Sequence, residues 1–251
     1  GIVSTEKDLV IGTHGRSFYI LDNAAIMRQF TPGIAAESVR LFDPPDAMRS
    51  VDRGVPVDYY LKNAAEKVTI DILDAQGQVV TSFEGVAPKE GEKPAGQASD
   101  EEGIRAPAAR VPVKAGMNRF VWDMRYAGAK DFPNMILWAG STRGPLAAPG
   151  SYQVRLTASG DTQTQPFTIS RNPGVEGVTD ADLAEQFTLA LQIRDKVTKA
   201  NEAVIRIRAV KDQVADRMTQ WAATQKDKKL SQAAVLGNAL TERLTAIEGE
   251  I

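Results

Sequence analysis

The alternation of apolar and polar residues predicts short β-strands through most of the first 170 residues. The clearest case is Gly116–Tyr126 (GMNRFVWDMRY), in which Phe120 and Trp122 share one face and the intervening residues share the other. Two large aromatic side chains on one face can anchor a small sandwich core, since each buries roughly 150–250 Å². We therefore predict that this strand organises the core, with Trp122 at its centre.

Similar segments lie on both sides of this strand. Val68–Ile72 alternates strictly and leads through a turn at Asp74–Gly77 into a hairpin partner at Gln78–Phe83. Residues 85–109 contain almost no large apolar side chain, which predicts a long mobile loop. The other predicted strands are Val55–Leu61, Tyr152–Thr157 and Thr164–Ile169. About seven short strands at this spacing are typical of an antiparallel β-sandwich, which we place at 46–172.

Residues 1–45 form a separate segment in this interpretation. Leu9–Gly12 and Phe18–Leu21 are apolar runs joined by THGRS, which has the length and glycine content of a hairpin loop. Asn23–Phe30 predicts one or two helical turns and Ser38–Phe42 a third strand, before the stiff connector Asp43–Asp46 with its paired prolines. Because this segment is too short for its own core, we expect a remnant of a larger β structure and a linker.

The hydrophobic period becomes helical beyond residue 178. Thr179 and Asp182 resemble a capping box, and neither Pro nor Gly occurs from there to Gln225. We predict an antiparallel helical hairpin over 178–251 in an α+β chain of several domains. A further helix would complete this hairpin as a bundle. The predicted stripe of the first helix is Ile193, Val197, Ala200, Val204, Ile207, Val214, Met218 and Trp221, with Lys211 at one expected apolar position, and that of the second is Ala233, Leu236, Leu240, Leu244 and Ile247.

Composition and motifs exclude several classes of function. The net charge of −2, from 30 basic and 32 acidic residues, gives no electrostatic case for nucleic acid or an anionic membrane. No run reaches the roughly 18 apolar residues of a membrane span, and the absence of Cys excludes disulfides, thiolate metal sites and Cys nucleophiles. No P-loop, G-x-G-x-x-G, HExxH, GxSxG or EF-hand pattern occurs. We therefore predict neither a cofactor nor a metal.

The candidate chemical groups are few. His14 is the single histidine and lies near Arg16 in the THGRS loop, where a structural role is favoured over catalysis. The acids Asp43 and Asp46 around two prolines, and Asp123 and Asp131 around a glycine-containing loop, have a spacing common in solvated turns, so we assign no acid/base pair for glycoside hydrolysis.

Trp138 and Arg143, in NMILWAGSTRGP, are the residues best suited to a ligand or partner. An aromatic ring and an arginine in a glycine-rich loop can stack a sugar or grip a neighbouring domain. The favoured alternative is that the run Met135–Trp138 packs in the interior, because continuous apolar runs are usually buried.

Three stretches, TEKDLVIGTHGRSFYILDN, ILWAGSTRGPLAAPGSYQVRL and QIRDKVTKAN, resemble the C-terminal region of bacterial sortilin-like and BNR-repeat (sialidase-like) β-propeller proteins, often labelled glycosyl hydrolases. The first resembles the closing propeller blade, in which THGR forms a turn. The S-x-D-x-G-x-T-W Asp-box of those propellers is absent. The resemblance implies a propeller upstream, which would carry any catalytic acids, and a periplasmic or secreted location.

A second resemblance concerns the sandwich. Val68–Val80, Gly116–Asp123 and Pro149–Leu156 are similar, in this order, to the V-x-I-x-I-x-D-x-x-G-x-V-V hairpin, G-x-N-x-x-x-W-D and P-G-x-Y-x-V-x-L motifs in the Ig-like domain of the flagellar hook-capping protein. This resemblance implies an Ig or fibronectin type III-like sandwich and no particular chemistry.

These observations favour a non-catalytic interaction region at the C-terminus of a secreted propeller protein, used for domain docking or oligomerisation. The alternative is a carbohydrate-binding or contributing part of a glycoside hydrolase; we expect no catalysis from this chain by itself. The expected partners are the upstream propeller and a second copy bound through the helices. A glycan is the third candidate, and the surface considered for a ligand or partner is Trp138, Arg143, His14 and Arg16.

Overall fold

The computed structural model describes residues 2–4, 8–21, 24–87, 110–137, 140–223 and 228–250. The strands are β1 (Ile2–Ser4), β2 (Leu9–Gly12), β3 (Phe18–Leu21), β4 (Val39–Leu41), β5 (Ala47–Met48), β6 (Val55–Leu61), β7 (Lys67–Leu73), β8 (Val79–Val86), β9 (Gly116–Trp122), β10 (Gly150–Ala158) and β11 (Asp161–Ser170), and the helices are α1 (Ala25–Arg28), α2 (Asp180–Ala223) and α3 (Lys228–Glu250). The chain divides into two compact units, residues 1–127 with 146–187 and residues 128–145 with 188–251.

Two sheets of the first unit share one hydrophobic core. The larger has the order β5-β11-β10-β7-β8 and the smaller the order β4-β6-β9, with antiparallel pairing throughout except between β5 and β11. The chain changes sheet between β6 and β7, between β8 and β9, and again between β9 and β10. Such crossovers between two packed sheets characterise an immunoglobulin-like sandwich. The predicted α+β class with an Ig-like sandwich is therefore confirmed.

Strand β9, the last strand in the order of the smaller sheet, contributes Phe120 and Trp122 to this core, as its alternation predicts. Trp122 is fully buried, whereas Val121 on the opposite face is 46% exposed. The indole ring contacts the rings of Tyr152 and Phe167 from the facing sheet, with centroids 5.9 and 6.0 Å apart. The indole N–H donates a hydrogen bond to the Arg125 carbonyl at 2.8 Å, so the polar atom of this large side chain is also satisfied.

The structure corrects two boundaries that were predicted from the sequence. The strand predicted at Ser38–Phe42 was placed in the N-terminal segment, but β4 pairs with β6 and buries Val39 and Leu41 in the sandwich core. The predicted loop 85–109 begins too early, because Gly85 and Val86 pair with β7 as the end of β8. The rest of that predicted loop, residues 88–109, lies outside the described residues.

The segment after residue 109 is fixed tightly to the sandwich. The buried Tyr59 hydroxyl donates a hydrogen bond to the Pro112 carbonyl, and the Ala65 amide donates to the Val113 carbonyl at 2.9 Å. Burial raises the pKa of Tyr59 above its usual range. Strand β8 approaches the same segment so closely that a Cβ atom on Gly85 would overlap the Val111 backbone. A glycine is therefore needed where the strand meets this segment.

Helix α2 begins at the predicted capping box. The Asp182 amide donates to the Thr179 hydroxyl at 3.2 Å, and the Thr179 amide donates to the Asp182 carboxylate at 2.7 Å. The Asp182 carboxylate accepts hydrogen bonds from the Thr179 amide and from the Thr179 hydroxyl. The bond from the amide first, and the bond from the hydroxyl second, hold the pKa of Asp182 below its usual range. The helix then continues for 44 residues, roughly 66 Å at 1.5 Å per residue.

In the second unit, residues 128–145 cover part of the predicted α2 stripe. The Asn201 side-chain amide donates to the Lys130 carbonyl, and the Arg208 guanidinium lies 4.6 Å from the centre of the Phe132 ring. Val204, between these contacts, is 5% exposed, whereas Ile193 at the beginning of the stripe is 57% exposed. The predicted stripe therefore packs in its middle and is open at that end.

The two long helices pack through small residues on α3. A Cβ atom on Gly237 would lie 2.8 Å from Met218 Sδ, which shows how closely the helices approach. Lys211, the charged residue in the predicted stripe, reaches Glu248 Oε2 at 3.1 Å, so its charge is compensated by α3. The half-buried residues of α3 are Ala233, Ala234, Gly237, Thr241, Leu244 and Glu248. Of the predicted α3 stripe, Ala233 and Leu244 are half-buried, whereas Leu236, Leu240 and Ile247 remain 70, 43 and 49% exposed.

Candidate functional site

The N-terminal segment forms a three-stranded antiparallel sheet in the order β1-β2-β3. The predicted hairpin is present, and its loop is closed by hydrogen bonds from the Thr13 amide and hydroxyl to the Ser17 carbonyl, at 3.2 and 2.9 Å. Strand β1 was not predicted, although its apolar pair Ile2 and Val3 is a signal for a strand. Strand β1 pairs with β2 from Ile2 opposite Ile11 to Ser4 opposite Leu9.

This sheet has apolar side chains on both faces. Successive residues along a strand point to opposite faces, and residues paired across strands point to the same face. One face therefore carries Ile2, Ile11 and Tyr19, and the other carries Val3, Val10 and Ile20. The exposed large apolar residues of β1 and β3 are distributed over both faces of the sheet. Their exposed fractions are Ile2 71%, Val3 61%, Phe18 77%, Tyr19 58%, Ile20 63% and Leu21 44%. Single exposed apolar residues are ordinary, but a cluster of this kind marks an interaction surface.

A second apolar surface lies on the helical hairpin. Exposed apolar residues of α3 include Val235, Leu236, Leu240 and Ile247, of which Val235 and Leu236 are 67 and 70% exposed. Leu236 and Leu240 line a groove of about 760 Å³ between α2 and α3. Its apolar lining includes Met218 and Trp221, and its polar lining includes both signs of charge, at Asp216 and Arg217.

The predicted ligand surface is only partly described. Trp138 lies outside the described residues. His14 and Arg16 are exposed in the β2–β3 loop of the first unit, and Arg143 is exposed in the 128–145 segment of the second unit. The Arg143 amide donates to the Ser141 hydroxyl at 3.1 Å, which is a local turn contact. Neither unit brings these residues together as one cluster.

The acidic residues considered for hydrolysis are exposed turn residues. Asp123 accepts a hydrogen bond from the Arg125 amide, and Asp46 accepts one from the Thr168 amide at 2.7 Å. In the part of the chain that the structure describes, no group of three or more potential metal ligands occurs. The same residues include no helix long and apolar enough to cross a membrane.

The fold and these surfaces define an Ig-like sandwich with an N-terminal β-sheet and a helical hairpin, both bearing uncovered apolar side chains. No family model matches the chain, and no curated protein is significantly similar to it. The chain is similar to solved structures, among them CopC from Methylosinus trichosporium OB3b, with 16% identity over 55% of this chain and 98% of that one and a TM-score of 0.27. A second is DIP-gamma IG1+IG2, with 10% identity over 54% of this chain and 49% of that one and a TM-score of 0.24. The Ig-like domain of human Leucine-rich repeat-containing protein 4 has 13% identity over 55% and 90%, with a TM-score of 0.23. At these scores the assignment of the sandwich rests on its strand order.

Proposed function

We propose that this chain is a non-catalytic interaction region whose N-terminal sheet completes and docks onto a β-propeller. The observation that carries the proposal is the apolar character of both faces of β1-β2-β3. Strands that are covered on both faces read as continuous apolar runs, as LVIG and FYIL do here. A sheet in the position of a propeller blade is covered in this way, because a neighbouring blade packs on each face.

The number of strands supports the same proposal. Propeller blades are usually four-stranded, whereas β1-β2-β3 has three strands and two edges. A strand from the propeller would pair with one edge, satisfying backbone groups that an open edge leaves to solvent. The resemblance of TEKDLVIGTHGRSFYILDN to a closing blade supports a propeller upstream in the same protein, which would carry any hydrolytic residues. The periplasmic or secreted location belongs to the same proposal.

Hydrogen exchange of residues 2–4 and 8–21 tests this docking. In the chain of 251 residues the amides of the edge strands should exchange rapidly, and in the complete gene product at least one edge should be protected by a hundredfold or more. Phe18→Asn and Ile20→Asn, on one face, should reduce that protection, while the amides of β10 serve as the internal control. Equal exchange of residues 2–4 and 8–21 in the chain of 251 residues and in the complete product would refute the proposal.

The helical hairpin supports a second function, self-association through the groove between α2 and α3. A second copy is the favoured occupant because the lining combines apolar residues with both signs of charge, at Asp216 and Arg217, and each charge can pair with the opposite charge of a second copy. Sedimentation velocity should show a concentration-dependent dimer that Leu236→Glu dissociates. Val86→Glu is the matched control, since Val86 is 67% exposed on β8. A monomer at all concentrations, or a dimer insensitive to Leu236→Glu, would contradict this function.

A further inference from the structure

A small cavity of about 190 Å³ lies at one end of the sandwich, within the first unit. It is partly open to solvent and is bordered by the residues that follow β5, the loop between β11 and α2, and the first turns of α2. Its lining residues are Arg49, Ser50, Arg171, Asn172, Val175, Val178, Leu183 and Gln186. The sequence gives no hint of it, because these residues come from three separate parts of the chain.

The half-buried Arg49 is held in place by uncharged partners. Its backbone amide donates to the Ser170 carbonyl at 2.8 Å, its Nε–H to the Ala147 carbonyl at 3.0 Å, and its Nη2 to the Gln186 side-chain oxygen at 3.0 Å. Among the described residues no carboxylate forms an ion pair with Arg49. A guanidinium has five N–H donors, so the side chain is oriented by two of them and retains donors for a ligand.

A second arginine lines the cavity beside Arg49. Nη1 of Arg171 donates to the Val178 carbonyl at 3.4 Å, and its Nε lies 3.4 Å from Asp180 Oδ1, in a contact between side chains that are 44 and 70% exposed. Burial lowers the pKa of Arg49 from its ordinary value; Tyr152 raises it and Arg125 lowers it further. A partly desolvated cation beside other cations is stabilised by an anion, and Arg binds carboxylates in a planar, bidentate geometry.

The remaining walls narrow the class of anion. Val175, Val178 and Leu183 provide an apolar side that suits a short hydrocarbon group and offers nothing to an oxyanion such as phosphate. The volume of 190 Å³ is below the roughly 300–1,000 Å³ of pockets for drug-sized ligands. We propose that this cavity binds a small aliphatic carboxylate, either a free short-chain acid or the carboxyl terminus of a peptide, with Arg49 and Arg171 facing the carboxylate and the three apolar residues facing its hydrocarbon part.

Methyl NMR titration of the whole chain tests the site, with the methyl groups of Val175, Val178 and Leu183 as reporters. Butyrate is the probe, butyramide is its uncharged match, and phosphate is the anion without a hydrocarbon group. N-acetylvaline represents the carboxyl terminus of a peptide. We expect saturable shifts with butyrate or N-acetylvaline, and at least tenfold weaker binding of butyramide and phosphate. Tighter binding of N-acetylvaline would identify a peptide terminus as the source, and tighter binding of butyrate a free acid.

Two variants and one control variant test whether the carboxylate binds in this cavity. Val175→Asp introduces a negative charge at a residue that is 46% exposed, so the fold should be retained while affinity falls at least tenfold. Val86→Asp makes the same change at another exposed valine and should leave affinity unchanged. Arg49→Gln, with folding checked by hydrogen exchange in β10, should also weaken binding at least tenfold. The proposal is overturned if no probe saturates, if butyramide or phosphate binds as well as the carboxylates, or if Val175→Asp and Val86→Asp behave alike.

Discussion

Replacing Trp122 with alanine tests whether β9 organises the sandwich. The indole is fully buried between the rings of Tyr152 and Phe167, and its N–H is the donor to the Arg125 carbonyl at 2.8 Å. Truncation of a buried Trp costs about 3–5 kcal/mol from lost burial and the cavity that remains. Because the carbonyl also loses a donor here, we expect the upper part of this range, a large share of the roughly 5–15 kcal/mol by which domains are stable.

Native-state hydrogen exchange in β10 is the appropriate assay. The chain has two compact units, so a signal from the whole chain would mix their unfolding, whereas the β10 amides report on the sandwich. A loss of about 4 kcal/mol corresponds to exchange roughly a thousandfold faster for amides that open by global unfolding of the sandwich. Trp122→Phe, which keeps a ring and loses the N–H, should fall between alanine and the wild type.

Trp221→Ala is the matched control for this experiment. Trp221 is 37% exposed on α2, outside the sandwich, and its removal should leave exchange in β10 unchanged. If Trp122→Ala accelerated exchange by less than tenfold, or no more than Trp221→Ala, the sandwich would not depend on this side chain. The role assigned to β9 would then be wrong.

Two further predictions concern a backbone contact and an ion pair. Gly85→Ala should destabilise the sandwich by about 1–3 kcal/mol in denaturant titrations, because the added Cβ overlaps the Val111 backbone; Gly33→Ala, with φ −77° and open space around it, should be neutral or slightly stabilising, and equal effects would contradict the packing. Hydrogen bonds from Arg208 and then Lys211 lower the pKa of Glu248 from 4.5, so its contribution should be complete above pH 4.5 and disappear as the pH falls through the lowered value. Helix content, measured by circular dichroism, should therefore change less with acid pH in Glu248→Gln than in the wild type or in the control Glu242→Gln. Identical pH profiles of the three proteins would refute this role of Glu248.

Much of the sandwich was predictable because alternation is a local property. The strands around Val68–Ile72 and Trp122 bury alternate side chains as the sequence indicates. The membership of β4 was not predictable in this way, because a three-residue strand carries too little pattern to show which sheet it joins. Its position is decided by pairing with β6 and by the buried Val39 and Leu41.

The partial exposure of the α3 stripe has a different origin. Hydrophobic periodicity selects Leu236, Leu240 and Ile247 together with Ala233 and Leu244, but it ignores how closely two helices can approach. Gly237 allows close approach to α2 and Glu248 pairs with Arg208 and Lys211, so the contact also uses residues outside the stripe. The Arg49 cavity was equally unpredictable, because its charge and its walls meet only after folding.

The energetics of the N-terminal sheet indicate what kind of partner can cover it. Full burial of a large apolar side chain contributes about 1.5–3 kcal/mol, and the six exposed side chains of β1 and β3 are already partly covered, at 44–77% exposure. Their complete burial is therefore worth on the order of 5–10 kcal/mol. A separate partner would have to offset an estimated 4–15 kcal/mol of lost translational and rotational freedom, from this contribution and from that of its own buried surface. A partner joined through the same polypeptide incurs far less of that cost, because the two surfaces are already held at high effective concentration. The size and two-sided character of this surface thus favour docking onto a domain of the same protein, as in the proposed propeller.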